Sequence, residues 1–487
     1  MQSRLLPLAL GGLAWVAGAC KADESAVGPK RLRAEDLDAI NAAGLESDDP
    51  VERCVASAGR VPAAVGEVVQ RFCEEVQTLE IPGAAMAIAL DGKRVATVTT
   101  GVRCVGKPDP VTPETRFAIG SLTKSMTAAL LIETLRLRSG TGTDEAIRQK
   151  LDEALTADPA SPSLRDLLDH RAGIVDDWER PVSGENAWRN ALREPTPWFE
   201  PGEFWAYSNR GYAVVGNYID STGGPDYAEQ FETRFGPDIR LTPAKGDLVA
   251  CGHTPGPGNA DGPGVLEAFE AKRDAADAWA TPAGGALADV EALLAWAEGA
   301  RKEPLLVDAP VPTGESFAYG LGVRVETTGS GTKLNQHTGS LGDGWAQLIW
   351  TDDGDAIAIL ANRFSPLAST TMFARRELFG VEETSPLPEV PDTVAGRYTV
   401  RGWSQPIEVT ADDEGVRLDL PELGATGLRA DRPASGEFRA TWPLNGAPLD
   451  FRFVSYTDEA GEVSVWIRSK LFVGRRVDAP ASDPPSD

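Results

Sequence analysis

Apolar positions follow Ser121 so densely that no polar face is left. Met126, Ala128, Ala129, Leu130, Leu131, Ile132, Leu135 and Leu137 crowd every side of one helical projection. That pattern predicts a buried helix of about five turns, closed by Gly140. Other segments are two-sided. Val65, Val68, Val69, Phe72 and Val76 recur at helical spacing and predict an amphipathic helix, broken by Ile81-Pro82-Gly83. Ala84 to Leu90 and Val95 to Thr100 flank Asp91-Gly92, the signature of a hairpin. The middle of the chain reads as helical: Ser163 to His170, with Leu164, Leu167 and Leu168 on one face, then Gly211 to Thr222, then a helix carrying Val290, Leu293, Leu294 and Trp296. Strands return at Tyr319 to Val325, Gln336 to Ser340, Ala346 to Thr351 and Ala356 to Ala361, before a last helix at Ser369 to Leu378. This order implies an α+β domain. Its antiparallel sheet joins the two ends of the segment and is flanked by helices, some of them forming a helical subdomain.

Beyond Pro386, Pro388 and Pro391 the pattern changes to short alternating strands: Arg397 to Val400, Ile407 to Thr410, Val416 to Leu420, Phe438 to Thr441, Leu449 to Val454, Val463 to Ile467 and Leu471 to Val473. Regular spacing with polar turns predicts a separate all-β barrel or sandwich. The expected organisation is therefore an export signal at 1–20, a polar extension or tether at 21–60 and the main domain at 61–382. A linker at 383–392, a small β domain at 393–478 and a disordered tail at 479–487 follow.

Composition narrows the partners. The 487 residues carry a formal net charge of −26, which argues against nucleic acid and against electrostatic binding to anionic lipid. Arg4 precedes an apolar segment from Leu5 to Val16 and then Ala17-Gly18-Ala19-Cys20, the layout of a secretory signal. Two cleavage readings compete: an A-x-A site releasing the chain, or a lipobox attaching lipid to Cys20, although Ala17 stands where a lipobox usually has leucine. The other cysteines, Cys54, Cys73, Cys104 and Cys251, number four, and an even count after Cys20 favours the lipid anchor in an oxidising, periplasmic compartment. Three pairings are open to them; Cys54–Cys73 with Cys104–Cys251 is the expected one.

Several chemistries are unsupported. His170, His253 and His337 are the only histidines and form no metal-spaced pair, and no Cys-x-x-Cys occurs. There is no Gly-x-Ser-x-Gly elbow and no phosphate-binding loop, and Gly256-Pro-Gly258, in a Gly- and Pro-dense loop at 254–264, neither follows a strand nor opens a helix. No metal or cofactor is expected. What remains is Ser121-x-x-Lys124 at the head of the buried helix. Residues at i and i+3 share a face, so the lysine amine reaches the serine hydroxyl. Burial and the helix dipole disfavour the charged amine and make it a candidate base for that hydroxyl. Ser-x-x-Lys is common, so the pair needs partners.

Two further segments supply them: Tyr207-Ser208-Asn209, in an aromatic turn after Pro201-Gly-Glu203, and His337-Thr338-Gly339-Ser340, at the end of a late strand. With Thr115-Arg-Phe-Ala-Ile-Gly-Ser-Leu-Thr-Lys124, Leu167-Leu-Asp-His-Arg-Ala-Gly173 and Ala283-Gly-Gly285, this ordered set resembles the penicillin-recognising serine hydrolases, in their class C β-lactamase and DD-peptidase branch, over about residues 62 to 380. The resemblance implies a β-lactamase/transpeptidase-like fold and an acyl-enzyme at Ser121. Lys124 and Tyr207 would share the serine proton, with Lys124 lowering the tyrosine pKa. Asn209 would hold Lys124 and bind a substrate carbonyl. The backbone N–H groups of Ser121 and Ser340 would form an oxyanion hole, with Gly339 letting the strand approach. His170 reads as structural.

At His337 the sequence departs from class C β-lactamases, which usually carry lysine there. His-x-Gly resembles DD-peptidases, D-aminopeptidases and esterases instead, and the trailing β domain resembles the barrel appendages of D-aminopeptidase-like members. The expectation is a serine hydrolase acting on a small peptide containing D-amino acids, or on an ester. β-Lactamase activity ranks below these, and a non-catalytic binding or sensor module of the same fold is the alternative from another class. Substrate-binding roles fall to Asn209, His337, Gly339 and Ser340, and either Tyr207 or His337 could serve as the deacylating base. Membrane contact would be through Cys20 alone, and the oligomeric state is left open.

Overall fold

The computed structural model describes residues 54–477, apart from 254–277, 382–393 and short gaps in other loops and strand ends, together with the pair Asp38–Ala39. The expected signal with Cys20, most of the extension, the 254–264 loop, the linker and the tail lie outside the described residues.

Among the described residues, nine strands form one antiparallel sheet. Its order runs Val55–Ala58, Lys93–Gly101, Gly83–Leu90, Ala356–Ala361, Trp345–Thr351, Lys333–Gly339, Arg324–Thr327, Ala318–Tyr319 and Val311–Pro312. Gly83–Leu90 pairs with Ala356–Ala361, so the sheet does join the two ends of the main domain. Successive strand side chains point to opposite faces, and both faces are covered. Ala85, Ala87 and Ala89 pack in the core that includes Met126 and Leu131 of the serine helix. Ala84, Met86, Ile88 and Leu90 pack in the opposite core with Val65, Phe72 and Leu378. Each large apolar side chain fully buried in such a core contributes roughly 1.5–3 kcal/mol.

Three elements differ from expectation. Tyr319 to Val325 is not one strand but two, because Gly320 and Gly322 turn the chain back and pair Ala318 with Val325. Gly322 has φ of +76°, and a Cβ on it would lie 2.7 Å from the Lys124 carbonyl carbon, so the turn is pressed against the serine helix. Val55–Ala58, read as part of the extension, is an edge strand of the sheet. The C-terminal domain has an eighth strand, Ala425–Asp431, whose Ala-Thr-Gly-Leu-Arg-Ala-Asp sequence lacks the β-branched alternation that marks the others. With it the strands run in sequential order, and Gly396–Thr399 pairs with Val473–Val477 to close a barrel rather than a sandwich. Tyr398, Ile407, Leu418, Phe438, Phe451 and Ile467 fill it.

Cys54–Cys73 and Cys104–Cys251 are the two disulfides, the pairing expected. Cys104–Cys251 links residues 147 positions apart and therefore removes much unfolded-state freedom. Replacing both of its cysteines by serine should lower the urea unfolding midpoint and cost roughly 2–4 kcal/mol; an unchanged midpoint would contradict this.

Candidate active site

Ser121 lies in a single 3-10 turn, Gly120–Leu122, that feeds the helix Thr123–Ser139. Glycine is needed on both sides of the seam where this turn meets the strand Lys333–Gly339. Gly120 has φ of +50°, and a Cβ there would come 2.4 Å from Ser340 N. On Gly339 a Cβ would come 1.9 Å from Ile119 O and 2.8 Å from Ser121 N. The missing side chains let two backbones touch, which brings the amide nitrogens of Ser121 and Ser340 to one seam. Ser121 is partly exposed and Ser340 exposed, so the seam opens to solvent.

Lys124, one turn on, is completely buried. Its Nζ lies 3.1 Å from Ser121 Oγ, 2.8 Å from Asn209 Oδ1 and 2.7 Å from the carbonyl oxygen of Ala283. The rings of Tyr207 and Tyr212 stand 4.8 and 5.3 Å from it. Burial brings the amine down from 10.5 to about 7; Asp176 works against that and Arg324 adds to it. A neutral amine has two N–H groups and one lone pair. Asn209 Oδ1 and Ala283 O accept the two hydrogens, which leaves the lone pair for the Ser121 hydroxyl.

Tyr207 stands beside this pair, partly exposed. Burial pushes its phenol well above the usual 10, against the pull of its hydrogen bond with Ser121. The expectation that Lys124 would lower this pKa is corrected: desolvation dominates, and the resting phenol keeps its proton. The tyrosine is gripped from both neighbours by one residue. Ala206 N–H donates to His170 O at 3.0 Å, Ser208 N–H donates to His170 Nδ1 at 3.1 Å, and the His170 ring lies 4.3 Å from that of Tyr207. Since Nδ1 accepts and burial holds its pKa well below 6.5, His170 is neutral and structural.

Asn209 is the first residue of the helix Asn209–Asp220, which begins two residues earlier than its apolar pattern suggests because Ser208 caps it. Asp176, missed in the sequence, braces this cap. It accepts from Ser208 Oγ at 2.9 Å, from Asn209 Nδ2 at 3.0 Å and from Arg210 N at 2.8 Å. By accepting from the amide nitrogen it turns Asn209 Oδ1 toward Lys124. No local pattern could have marked it, because these partners lie 32–34 residues away in the chain.

His337 is placed differently from its expected substrate-binding role. Its ring is buried, Nδ1 donates to Thr338 O at 2.6 Å, and Nε2 accepts from Tyr319 O–H at 2.8 Å. Both nitrogens are spent, and burial holds the ring neutral, well below 6.5. These two bonds tie the ring to Tyr319 and to its own strand. The cation that acts on this site is Arg324, on the neighbouring strand opposite Gln336. It bears electrostatically on Lys124, Tyr207, His170 and His337, and its Nε is buried with no hydrogen-bond partner among the described residues. Among the described residues no three His, Cys, Asp or Glu side chains gather to hold a metal.

A serine hydroxyl facing a buried amine of near-neutral pKa, beside two converging backbone amides, is the arrangement of a serine hydrolase. The sequence model described as Beta-lactamase matches residues 68–379, and the chain belongs to that family. It is similar to a D-aminopeptidase of Brucella anthropi, 27% identical over 389 residues, covering 72% of this chain and 67% of the relative. Among solved structures, that of SurE covers 85% of this chain and 99% of its own at TM-score 0.62 and 23% identity. The D-amino acid amidase of Ochrobactrum anthropi SV3 covers 66% and 98% at TM-score 0.52 and 20% identity. These likenesses concern the fold.

A base must be neutral to take a proton, so activity should rise with pH through about 7, as Lys124 deprotonates. Asp176 favours the charged amine, so Asp176→Asn should move this acid limb to lower pH by about one unit and reduce kcat through the loosened Asn209. A limb that stays in place would separate it from Lys124.

Proposed function

We propose that this serine hydrolase cleaves amide bonds of peptides containing D-amino acids through an acyl-enzyme on Ser121. The observation that carries the reading is the buried Lys124 amine, whose Nζ lies 3.1 Å from Ser121 Oγ and within hydrogen-bond distance of Asn209 Oδ1 and Ala283 O. Once neutral, it can give its two N–H groups to those oxygens and turn its lone pair to the Ser121 hydroxyl. Lys124 takes the hydroxyl proton as Ser121 Oγ bonds to the carbonyl carbon. The resulting oxyanion is held by the N–H groups of Ser121 and Ser340, each such donor being worth roughly 3–4 kcal/mol. As the carbon–nitrogen bond breaks, the leaving amine takes the Tyr207 phenolic proton, and Lys124 returns its own to Tyr207. Water then attacks the ester carbonyl and gives a proton to Lys124; as the ester carbon–oxygen bond breaks, that proton passes to Ser121 Oγ and the acid leaves. His337, with both nitrogens spent, is not needed as the second base. The D-residue is supported by the similarity to D-aminopeptidases, an aminopeptidase direction.

A second reading, the carboxypeptidase direction, is favoured by Arg324, a partly exposed guanidinium whose charge acts on Lys124 and Tyr207 and would suit a substrate carboxylate. Fluorophosphonate should label the wild type and not Ser121→Ala; absence of wild-type labelling, by it and by a fluorescent penicillin, would sink the proposal. Rates on D-amino-acid anilides, D-Ala-D-Ala peptides and p-nitrophenyl esters decide the direction. If carboxylate recognition holds, Arg324→Gln should slow the D-Ala-D-Ala peptide at least about tenfold more than the anilide, the scale of a lost charged hydrogen bond.

We also propose that the protein is exported to the periplasm and anchored by lipid on Cys20. The support is the signal-like segment before Cys20 and the two disulfides, which suit an oxidising compartment. Cys20→Ala should release the protein from membranes and abolish palmitate incorporation; a membrane fraction unchanged by the substitution would reject the anchor.

A further inference from the structure

The segment bearing Tyr207 is held from outside by the barrel. On the barrel strand Val463–Ser469, Ile467 points into the barrel core, so Trp466 and Arg468 project from its outer face. That face meets the chain leading to Tyr207. Phe204 stacks on Trp466, their ring centroids 4.4 Å apart and planes within 14°. Phe199 and Tyr456 close around them in one buried cluster that also includes Trp205 and Tyr319 and has Tyr207 packed against it.

Arg468 reaches one step nearer. Its Nη1 donates to the carbonyl oxygen of Trp205 at 3.4 Å, and its guanidinium lies 5.1 Å from the Trp205 ring. Its other end is tied to Glu315 by an ion pair that Arg452 shares at 3.9 Å. The Trp205 ring in turn stands 6.5 Å from that of Tyr207 and 5.7 Å from that of Tyr319, the residue bonded to His337. Two rim ion pairs, Arg475–Glu203 at 2.8 Å and Arg401–Glu200 at 2.9 Å, join the same two surfaces. Those pairs are exposed and worth little. The stacked aromatics and Arg468 carry the contact.

We propose that the barrel is a working part of the catalytic site, with Trp466 and Arg468 as positioning residues that hold Tyr207 in place through Phe204 and Trp205. This rests on the reading of Tyr207 as the group that protonates the leaving amine. Proton transfer needs hydrogen-bond reach, and a displacement of about 1 Å can cost on the order of 100-fold in rate. His170 fixes the segment from the inner side; the barrel fixes it from the outer.

The chemistry offers a signature that a merely structural role would not produce. An amine must be protonated to leave, whereas p-nitrophenolate leaves unaided. Arg468→Met keeps the stem over Trp205 and removes the hydrogen bond and the charge. With active sites counted by fluorophosphonate, this variant should lose kcat on a D-amino acid amide at least about tenfold more than on the p-nitrophenyl ester of the same acyl group. KM should change little, and Arg468→Lys should regain part of the loss. The double variant Glu315→Gln/Arg468→Met leaves no unpaired buried carboxylate and serves the same comparison if the single variant folds poorly. Tyr207→Phe is the reference and should show the same selectivity. If Tyr207→Phe is selective while the Arg468 variants lose both substrates equally, or neither, the barrel proposal is overturned alone. If Tyr207→Phe itself loses both equally, the role of Tyr207 falls and the barrel proposal with it.

Discussion

The site depends on one amine kept out of water. Taking an ammonium from solvent into a protein interior costs several kcal/mol unless it is paired, and Lys124 meets neutral acceptors in Asn209 and Ala283 rather than a carboxylate in contact. Asp176 lies one residue further back, behind Asn209. That distance matters. A carboxylate directly on the amine would hold it charged, whereas none at all would leave Asn209 unaimed. The intermediate placement brings the amine to about 7, where it can exchange a proton with a hydroxyl at ordinary pH.

The second constraint is steric. The turn of Ser121 and the strand ending at Gly339 approach so closely that neither Gly120 nor Gly339 has room for a methyl group. Gly322 does the same where its turn presses on the Lys124 backbone. Three glycines thus seat the serine helix against the sheet at two seams. Rigid backbone contact of this kind fixes amide donors without side-chain entropy, and preorganised donors are what a developing oxyanion needs.

Around that seam the protein has built an aromatic wall of Tyr207, Tyr212, Tyr319 and Trp205, with His170 and His337 neutral among them. Desolvation is the dominant influence on Lys124, His170, His337 and the three tyrosines. It lowers the lysine and the histidines and raises the tyrosines, so the resting site contains an amine near neutrality and protonated phenols. Histidine in the late-strand motif therefore means loss of a fixed charge at that position, and Arg324 on the next strand supplies the positive field instead.

By itself the sequence determined the α+β layout, the trailing β domain, the buried helix behind Ser121 and the company of Lys124, Tyr207 and Asn209. The layout, the helix and the Ser121–Lys124 pair follow from local periodicity and i, i+3 spacing, whereas Tyr207 and Asn209, far along the chain, are tied to that pair only by the resemblance to the penicillin-recognising serine hydrolases. Cysteine number suggested two disulfides but left three pairings open, and the fold selects one of them. Tertiary structure decided the rest. Asp176 and Arg324 act through space on groups far away in sequence, so no spacing could announce them. The proton on Tyr207 and the neutrality of His337 depend on burial, a property of packing rather than of residue type. The break at Gly320 and Gly322 and the strand Ala425–Asp431 exist because neighbouring strands supply their hydrogen bonds, which no alternation along a single segment records.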